Sequence, residues 1–134
     1  MIDNQKKSWS VGYKMKIDSN LDDLWNIITK PGHLELVHPF CKENYPIKWD
    51  KEKSKDVLIY TNGIELIREF KTWKEKKGYS LEIGTKKGRK SLVEWEISTK
   101  NQNIYLSIKV YTFFMRDRNL ILSFLPHFIL IYPN

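Results

Sequence analysis

The fold of this chain is decided by residues 8–40, which read SWSVGYKMKIDSNLDDLWNIITKPGHLELVHPF. Apolar side chains occupy every second position between residues 9 and 17, a period that predicts a strand with one face in water. From Leu21 to Ile28 the apolar spacing changes to three and four residues, which predicts an amphipathic helix. The stretch therefore predicts a strand that leads directly into a helix.

The ends of that helix carry their own signals. Ser19 or Asn20 can cap the first turn, and acidic residues follow the cap, as the helix dipole favours. Pro31 and Gly32 end the helix, and residues 33–37 predict a second short helix before the next proline. We expect a bent pair of helices that lies across a sheet.

The chain after the helices has the pattern of an antiparallel meander. Asn62 and Gly63 separate two apolar runs and are the strongest signal for a two-residue type I′ hairpin turn. Further turns are predicted around Gly78, Gly88 and residues 101–103, and such short connections favour antiparallel strands over parallel ones. The six predicted strands are residues 43–50, 56–61, 64–73, 79–85, 91–98 and 104–114.

The end of the chain is apolar. Residues 120–132 are interrupted only by Ser123, Pro126 and His127, and they fall short of the ~20 residues that a bilayer-spanning helix needs. We expect no transmembrane segment here. The segment is instead predicted to be a kinked helix that closes the open face of the sheet, abbreviated or cut short at Asn134.

Composition limits the class of protein. A chain of 134 residues with 41% hydrophobic residues forms one domain with an ample core. Its single cysteine and the lack of an apolar leader predict a reducing, cytoplasmic location. The net charge of +7 comes mainly from lysines dispersed over turns and polar strand faces, so we expect a solvated surface and no nucleic-acid partner.

This order of elements resembles the START-like helix-grip superfamily, also called SRPBCC, and especially its polyketide cyclase/dehydrase-type bacterial members. The resemblance covers roughly residues 8–115 and implies an α+β fold of six or seven antiparallel strands. It also implies a cavity for apolar ligands between the curved sheet and a C-terminal helix, which residues 116–132 would have to supply. The residues that carry it are 19–25, 31–34, 49–56, Gly63 with Arg68 and Glu69, and 91–97.

Candidate ligand contacts lie inside that implied cavity. Even-numbered residues from Ile64 to Thr72 share one strand face with Arg68, so a guanidinium could sit among apolar neighbours. A buried guanidinium requires an acid or an anionic ligand, and Glu94 or Glu96 could be that acid. The alternative places Arg68 on the wet face. The predicted ligand-binding residues are Trp25, Tyr60, Leu66, Arg68, Phe70, Glu94, Trp95 and Phe128.

The histidines and the cysteine give weaker signals. His33 and His38 lack the spacing of a helical metal pair, and the proline after His38 disturbs that geometry. His127 lies in the apolar tail, where a satisfied imidazole is the simplest interpretation. Cys41 has no neighbouring base to activate it. We therefore expect no metal, no cofactor and no catalytic nucleophile.

Three functional classes follow. The first is a non-enzymatic carrier or sensor of a small apolar molecule, such as a lipid, an isoprenoid or an aromatic polyketide. The second is a cyclase- or hydrolase-like enzyme that uses Arg68, Glu94 or a tyrosine to polarise a carbonyl. The third is an interaction protein, in which residues 120–132 dock to a partner or form a homodimer.

Overall fold

The computed structural model describes residues 10–38, 40–88 and 90–111. These residues form one seven-stranded antiparallel sheet in the order β1-β7-β6-β5-β4-β3-β2. The first strand pairs with the last, so β1 and β2 are the two edges. The strands are β1 (Ser10–Ile17), β2 (Cys41–Lys48), β3 (Lys55–Tyr60), β4 (Glu65–Lys74), β5 (Gly78–Gly84), β6 (Ser91–Lys100) and β7 (Asn103–Tyr111). The predicted α+β class with its antiparallel sheet is confirmed.

The two helices follow β1. They are α1 (Leu21–Ile28) and α2 (Leu34–Val37), and a short 3-10 helix (Lys51–Lys53) precedes β3. Of the two candidate caps, Asn20 is the one used, because its Oδ1 accepts from the N–H of Asp23 at 2.8 Å. Leu24, Trp25 and Ile28 are buried, so α1 packs its apolar face against the sheet, as its spacing predicts.

The connection between β3 and β4 differs from the prediction. Tyr60 and Ile64 flank a three-residue loop, in which the N–H of Gly63 donates to the Tyr60 carbonyl at 2.9 Å. Gly63 has a φ of 92°, whereas Asn62 is not in the positive-φ region. The prediction of a type I′ turn at Asn62-Gly63 is therefore wrong. The loop has the features of a type I turn followed by a left-handed glycine. A two-residue turn with positive φ at both positions occurs instead at Asn101 and Gln102, with φ of 53° and 68°.

The sheet has one apolar face and one polar face. The inner face packs against the helices and carries the core, including Leu66, Phe70, Tyr79, Leu81, Trp95, Leu106 and Ile108. The pairing shifts register between Phe70 and Thr72, and Thr72 is exposed while Trp73 packs against Phe70 and Tyr79. The prediction that Thr72 shares the inner face is therefore wrong, because a bulge intervenes.

Some predictions concern other parts of the chain. Phe128, the apolar segment 120–132 and the homodimer predicted through it lie outside the described residues. Within the described ranges, none of the helices has the length and apolarity required to cross a membrane.

Candidate ligand-binding site

A buried ion pair lies on the inner face. Arg68 is 2% exposed and Asp56, directly opposite on β3, is fully buried. Nε of Arg68 donates to Oδ1 of Asp56 at 2.9 Å, and Nη2 donates to Oδ2 at 2.6 Å. The alternative that placed Arg68 on the wet face is wrong. So is its pairing with Glu94 or Glu96, because Asp56 supplies the acid.

The guanidinium of Arg68 keeps its charge. Burial by itself lowers the pKa of Arg68, but the charge of Asp56 and its hydrogen bonds outweigh burial and raise that pKa above its ordinary value. A bidentate geometry is the strongest that a guanidinium and a carboxylate can form. The pair as a whole is neutral, which reduces the cost of burying it.

An asparagine connects the ion pair to helix α2. The side-chain amide of Asn44 donates to Oδ2 of Asp56 and to the carbonyl of Val57, each at 3.0 Å. Its Oδ1 accepts from the N–H of Leu34, the first residue of α2, at 3.1 Å. Asn44 is buried, so these bonds replace those that its amide would make with water. The start of α2 is thereby held at a fixed position over the ion pair.

His33 connects the same ion pair to the turn between the helices. Its Nδ1 lies 2.8 Å from the carbonyl of Lys30. Because a carbonyl only accepts, Nδ1 carries the proton and Nε2 is an acceptor. Nε2 lies 3.5 Å from Nη2 of Arg68 and 3.3 Å from the hydroxyl of Tyr79. That hydroxyl donates to the carbonyl of Ile28 at 2.7 Å, so Arg68 is the donor that faces Nε2.

His33 is uncharged at neutral pH. Its side chain is fully buried, and burial together with the charge of Arg68 lowers its pKa from 6.5 to about 3, although the Lys30 carbonyl and Asp56 act in the opposite direction. Three aromatic rings surround the imidazole. The rings of Trp95, Trp49 and Tyr79 have centroids 5.6, 6.2 and 6.5 Å from that of the imidazole. A neutral imidazole suits this apolar environment.

The lowered pKa predicts that acid destabilises the fold through His33. The unfolded chain takes up a proton below pH 6.5 whereas the folded chain resists protonation until about pH 3. Stability is therefore full above pH 6.5 and is lost as the pH falls. We expect His33 to account for a loss of about 2 kcal/mol between about pH 7.5 and pH 5. Urea denaturation at both pH values measures this loss in the free energy of unfolding.

The matched control is His33→Gln. This variant is less stable at both pH values, but its loss between them is smaller than that of the wild type by the same ~2 kcal/mol. Equal pH dependence in the two proteins would show that His33 does not titrate in this way.

A small, partly open cavity adjoins the guanidinium. Its volume is about 20 Å³, and a cavity of roughly 10–15 Å³ measured in this way holds one water molecule. Its walls come from the central strands β5, β6 and β7, with Arg68 from β4. The described residues that line it are Arg68, Leu81, Ile83, Val93, Trp95, Ile108 and Val110. Arg68 is the one charged side chain among them.

Comparison with known proteins identifies the architecture. Neither the family models nor the curated proteins match this chain. Among solved structures, ginseng major latex-like protein 151 from Panax ginseng has a TM-score of 0.64 at 12% identity over 86% of this chain and 91% of that one. CalU16 from Micromonospora echinospora has a TM-score of 0.63 at 15% identity, over 92% of this chain and 76% of that chain. The Aha1 dimer from Colwellia psychrerythraea has a TM-score of 0.65 at 8% identity, over 85% and 83%. The chain has the START-like helix-grip fold.

The helix-grip fold brings most of the predicted contacts to one side of the sheet. Arg68 and Trp95 line the cavity. Tyr60, Leu66 and Phe70 are buried on the inner face, and Trp25 packs on it from α1, with its ring centroid 5.7 Å from that of Trp73. Their role in ligand binding stays a prediction.

Glu94 does not join this group. It lies on the outer face of the helix-grip sheet, where its Oε1 accepts from the hydroxyl of Tyr111 at 3.0 Å. Phe128 is outside the described residues. Sequence reasoning missed Asp56 and Asn44 as polar partners of Arg68. It considered the hydroxyl of Tyr79 only for a ligand and His33 only as a metal ligand. The described residues contain no cluster of three or more potential metal ligands.

The buried titratable groups of this site hold fixed protonation states. Burial raises the pKa of the Tyr79 hydroxyl, and it raises the pKa of the half-buried Cys41 thiol to about 12. His33 is neutral, and Arg68 and Asp56 are paired. The pKa values of His33, Arg68, Tyr79 and Cys41 are all shifted away from neutral pH.

Proposed function

We propose that this protein binds a small hydrophobic molecule against the inner face of the sheet, as a non-enzymatic carrier or sensor. The observation that supports this most is the guanidinium of Arg68 at the wall of an otherwise apolar cavity. A buried ion pair is a weak source of stability, because apolar residues of similar volume often serve equally well. A single polar group in an apolar cavity is the usual means of orienting a ligand.

The chemistry of the walls supports lipids, isoprenoids or aromatic polyketides as ligand classes. The lining is aliphatic apart from Arg68 and Trp95, and aromatic rings continue from Trp95 through Tyr79 to Trp73, with successive centroids 5.3 Å apart. Such surfaces accept both alkyl chains and planar rings. The cavity volume of about 20 Å³ is smaller than any of these molecules. We therefore expect side chains of the inner face to separate when a ligand enters.

The enzyme alternative has less support. A cyclase or hydrolase would use Arg68, Glu94 or a tyrosine, but Glu94 is on the opposite face and the Tyr79 hydroxyl donates to Ile28. The interaction alternative depends on residues 120–132, and the homodimer stays a prediction. The structural neighbour Aha1 from Colwellia psychrerythraea is itself described as a dimer, which is consistent with that prediction.

Filling the cavity should weaken ligand binding. Val93→Ile adds one methylene to the wall, which suits a void of about 20 Å³, so stability in the absence of ligand stays within about 1 kcal/mol of the wild type. Thermal shift with fatty acids, isoprenoids and aromatic polyketides measures binding. We expect at least one class to raise the Tm of the wild type, and Val93→Ile to reduce that rise.

The matched control is Val57→Ile. Val57 is buried on the outer face, opposite Ile67, so the same methylene is added away from the cavity and the ligand-dependent rise in Tm is retained. The proposal fails if none of the three ligand classes stabilises the wild type, or if the two variants lose the rise equally.

A further inference from the structure

The charge of Arg68 is already balanced inside the protein. Both carboxylate oxygens of Asp56 accept from its guanidinium, and Asp56 is fully buried. A carboxylate arriving from the cavity would leave a net negative charge out of water, at a cost of several kcal/mol. An uncharged oxygen carries no such cost and can still accept a hydrogen bond. The ligand group that suits Arg68 is therefore a hydroxyl or a carbonyl.

A second polar group lies on the same apolar face. Ser91 on β6 is fully buried, and its Oγ has no hydrogen-bond partner among the described residues. A buried hydroxyl without a partner costs about 1–3 kcal/mol, and alanine at this position would avoid that cost. Such a group in a native fold calls for a partner other than the described residues around it.

The sheet register relates these two polar groups. Ser91 is directly opposite Ile83, and Ile83 is directly opposite Arg68. Two strand spacings separate the Cα atoms of Arg68 and Ser91 by about 10 Å. Ile83 lines the cavity, as does Val93, which follows Ser91 on the same face. Arg68 and Ser91 therefore lie on the same face of the sheet, with Ile83 between them.

From this arrangement we propose that the ligand is an uncharged hydrophobic molecule with two oxygen functions, one bonded to Arg68 and the other to Ser91. The inference rests on the proposed function and specifies its ligand. The oxygen at Arg68 accepts a hydrogen bond, whereas the oxygen at Ser91 can accept or donate, because a serine hydroxyl does both. The molecule between them is apolar and spans about two strands.

Four probes of one chain length test this on the full-length protein by thermal shift. They are decane, decanol, decanoate and the decane diol with a hydroxyl at each end. We expect decanol to raise Tm by a few degrees, decanoate to raise it less, and the diol to raise it about twice as much as decanol. Hydrophobic burial alone predicts the reverse order for decanol and the diol, since the diol is the more polar molecule.

Ser91→Ala removes the proposed ligand contact at Ser91 and leaves the one at Arg68 in place. We expect this variant to keep or increase its Tm without ligand, to respond to decanol as the wild type does, and to lose the advantage of the diol. Ser107→Ala is the control, because Ser107 pairs with Glu96 on the outer face, and there the diol keeps its advantage.

The outcomes distinguish this inference from the proposed function. If decanol stabilises the protein but the diol adds nothing, or if Ser91→Ala retains the diol's advantage, then Ser91 is not a ligand contact. A rise in Tm with decanoate that equals or exceeds that with decanol overturns the uncharged ligand. If none of the four probes changes Tm, the inference fails, whereas the proposed function fails only if the fatty acids, isoprenoids and aromatic polyketides of the wider screen also leave Tm unchanged.

Discussion

Replacing Arg68 by methionine should lower the free energy of unfolding by about 3–5 kcal/mol, because the substitution leaves the Asp56 carboxylate buried without its cation. Asp56 is fully buried and receives two hydrogen bonds from Arg68. Methionine occupies a similar volume but donates no hydrogen bond. Urea denaturation near neutral pH, monitored by circular dichroism, measures the loss.

The double variant Asp56→Leu, Arg68→Met is the matched control. Removing both charges together leaves no unpaired group, so we expect a loss of less than about 2 kcal/mol and a large coupling between the two sites. Lys71→Met is a surface control, because its contacts with Glu69 and Glu82 are exposed at 3.8 and 3.7 Å, and it should cost under about 0.5 kcal/mol. A double variant as unstable as Arg68→Met would contradict this account of the ion pair.

Gly78→Ala should be the next most damaging change, with a loss of about 2–4 kcal/mol. Gly78 begins β5 with a φ of 150°, and a Cβ atom there would lie 2.1 Å from the carbonyl oxygen of Trp95. That oxygen belongs to the neighbouring strand, so the backbone itself must move to admit the methyl group. Thermal and urea denaturation both measure the effect.

Gly63→Ala is the control for Gly78→Ala. Gly63 also has a positive φ, of 92°, but a Cβ atom there would meet nothing within 4 Å. Only the backbone cost remains, and we expect a loss of about 1 kcal/mol. If Gly63→Ala were the more damaging of the two, the close approach of the Trp95 carbonyl would not be what requires glycine at residue 78.

One turn explains why the sequence predicted the strands but not the partner of Arg68. A two-residue turn at Asn62-Gly63 would place Asp56 opposite Glu69. The observed three-residue loop shifts the pairing by one residue and places Asp56 opposite Arg68. A shift of one residue moves every side chain of a strand to the other face relative to its neighbours. The residue that faces Arg68 therefore depends on the length of this turn, and the Asn-Gly pair alone does not fix that length.

The other structural features differ in whether they depend on residues that are close in the sequence or far apart in it. Helix α1 and the alternating strands follow from contacts between residues close in sequence, so period and capping predicted them well. The interactions of His33 come from β4 and β5, at a sequence separation of 35 from Arg68 and 46 from Tyr79. No local pattern encodes them. Glu94 was assigned to the cavity because β6 carries apolar residues on both faces, which include Leu92 outside and Val93 inside.

The aromatic cluster next to Arg68 also gives the protein an optical signal of its own. Four of its five tryptophans, Trp25, Trp49, Trp73 and Trp95, adjoin one another or Tyr79 at centroid distances of 5.3 to 6.3 Å. Rings so close couple their electronic transitions, so the near-ultraviolet dichroism and the emission spectrum depend on how they are spaced. A molecule that pushes Trp95 away from Tyr79 changes both spectra, and its arrival can be followed without any label.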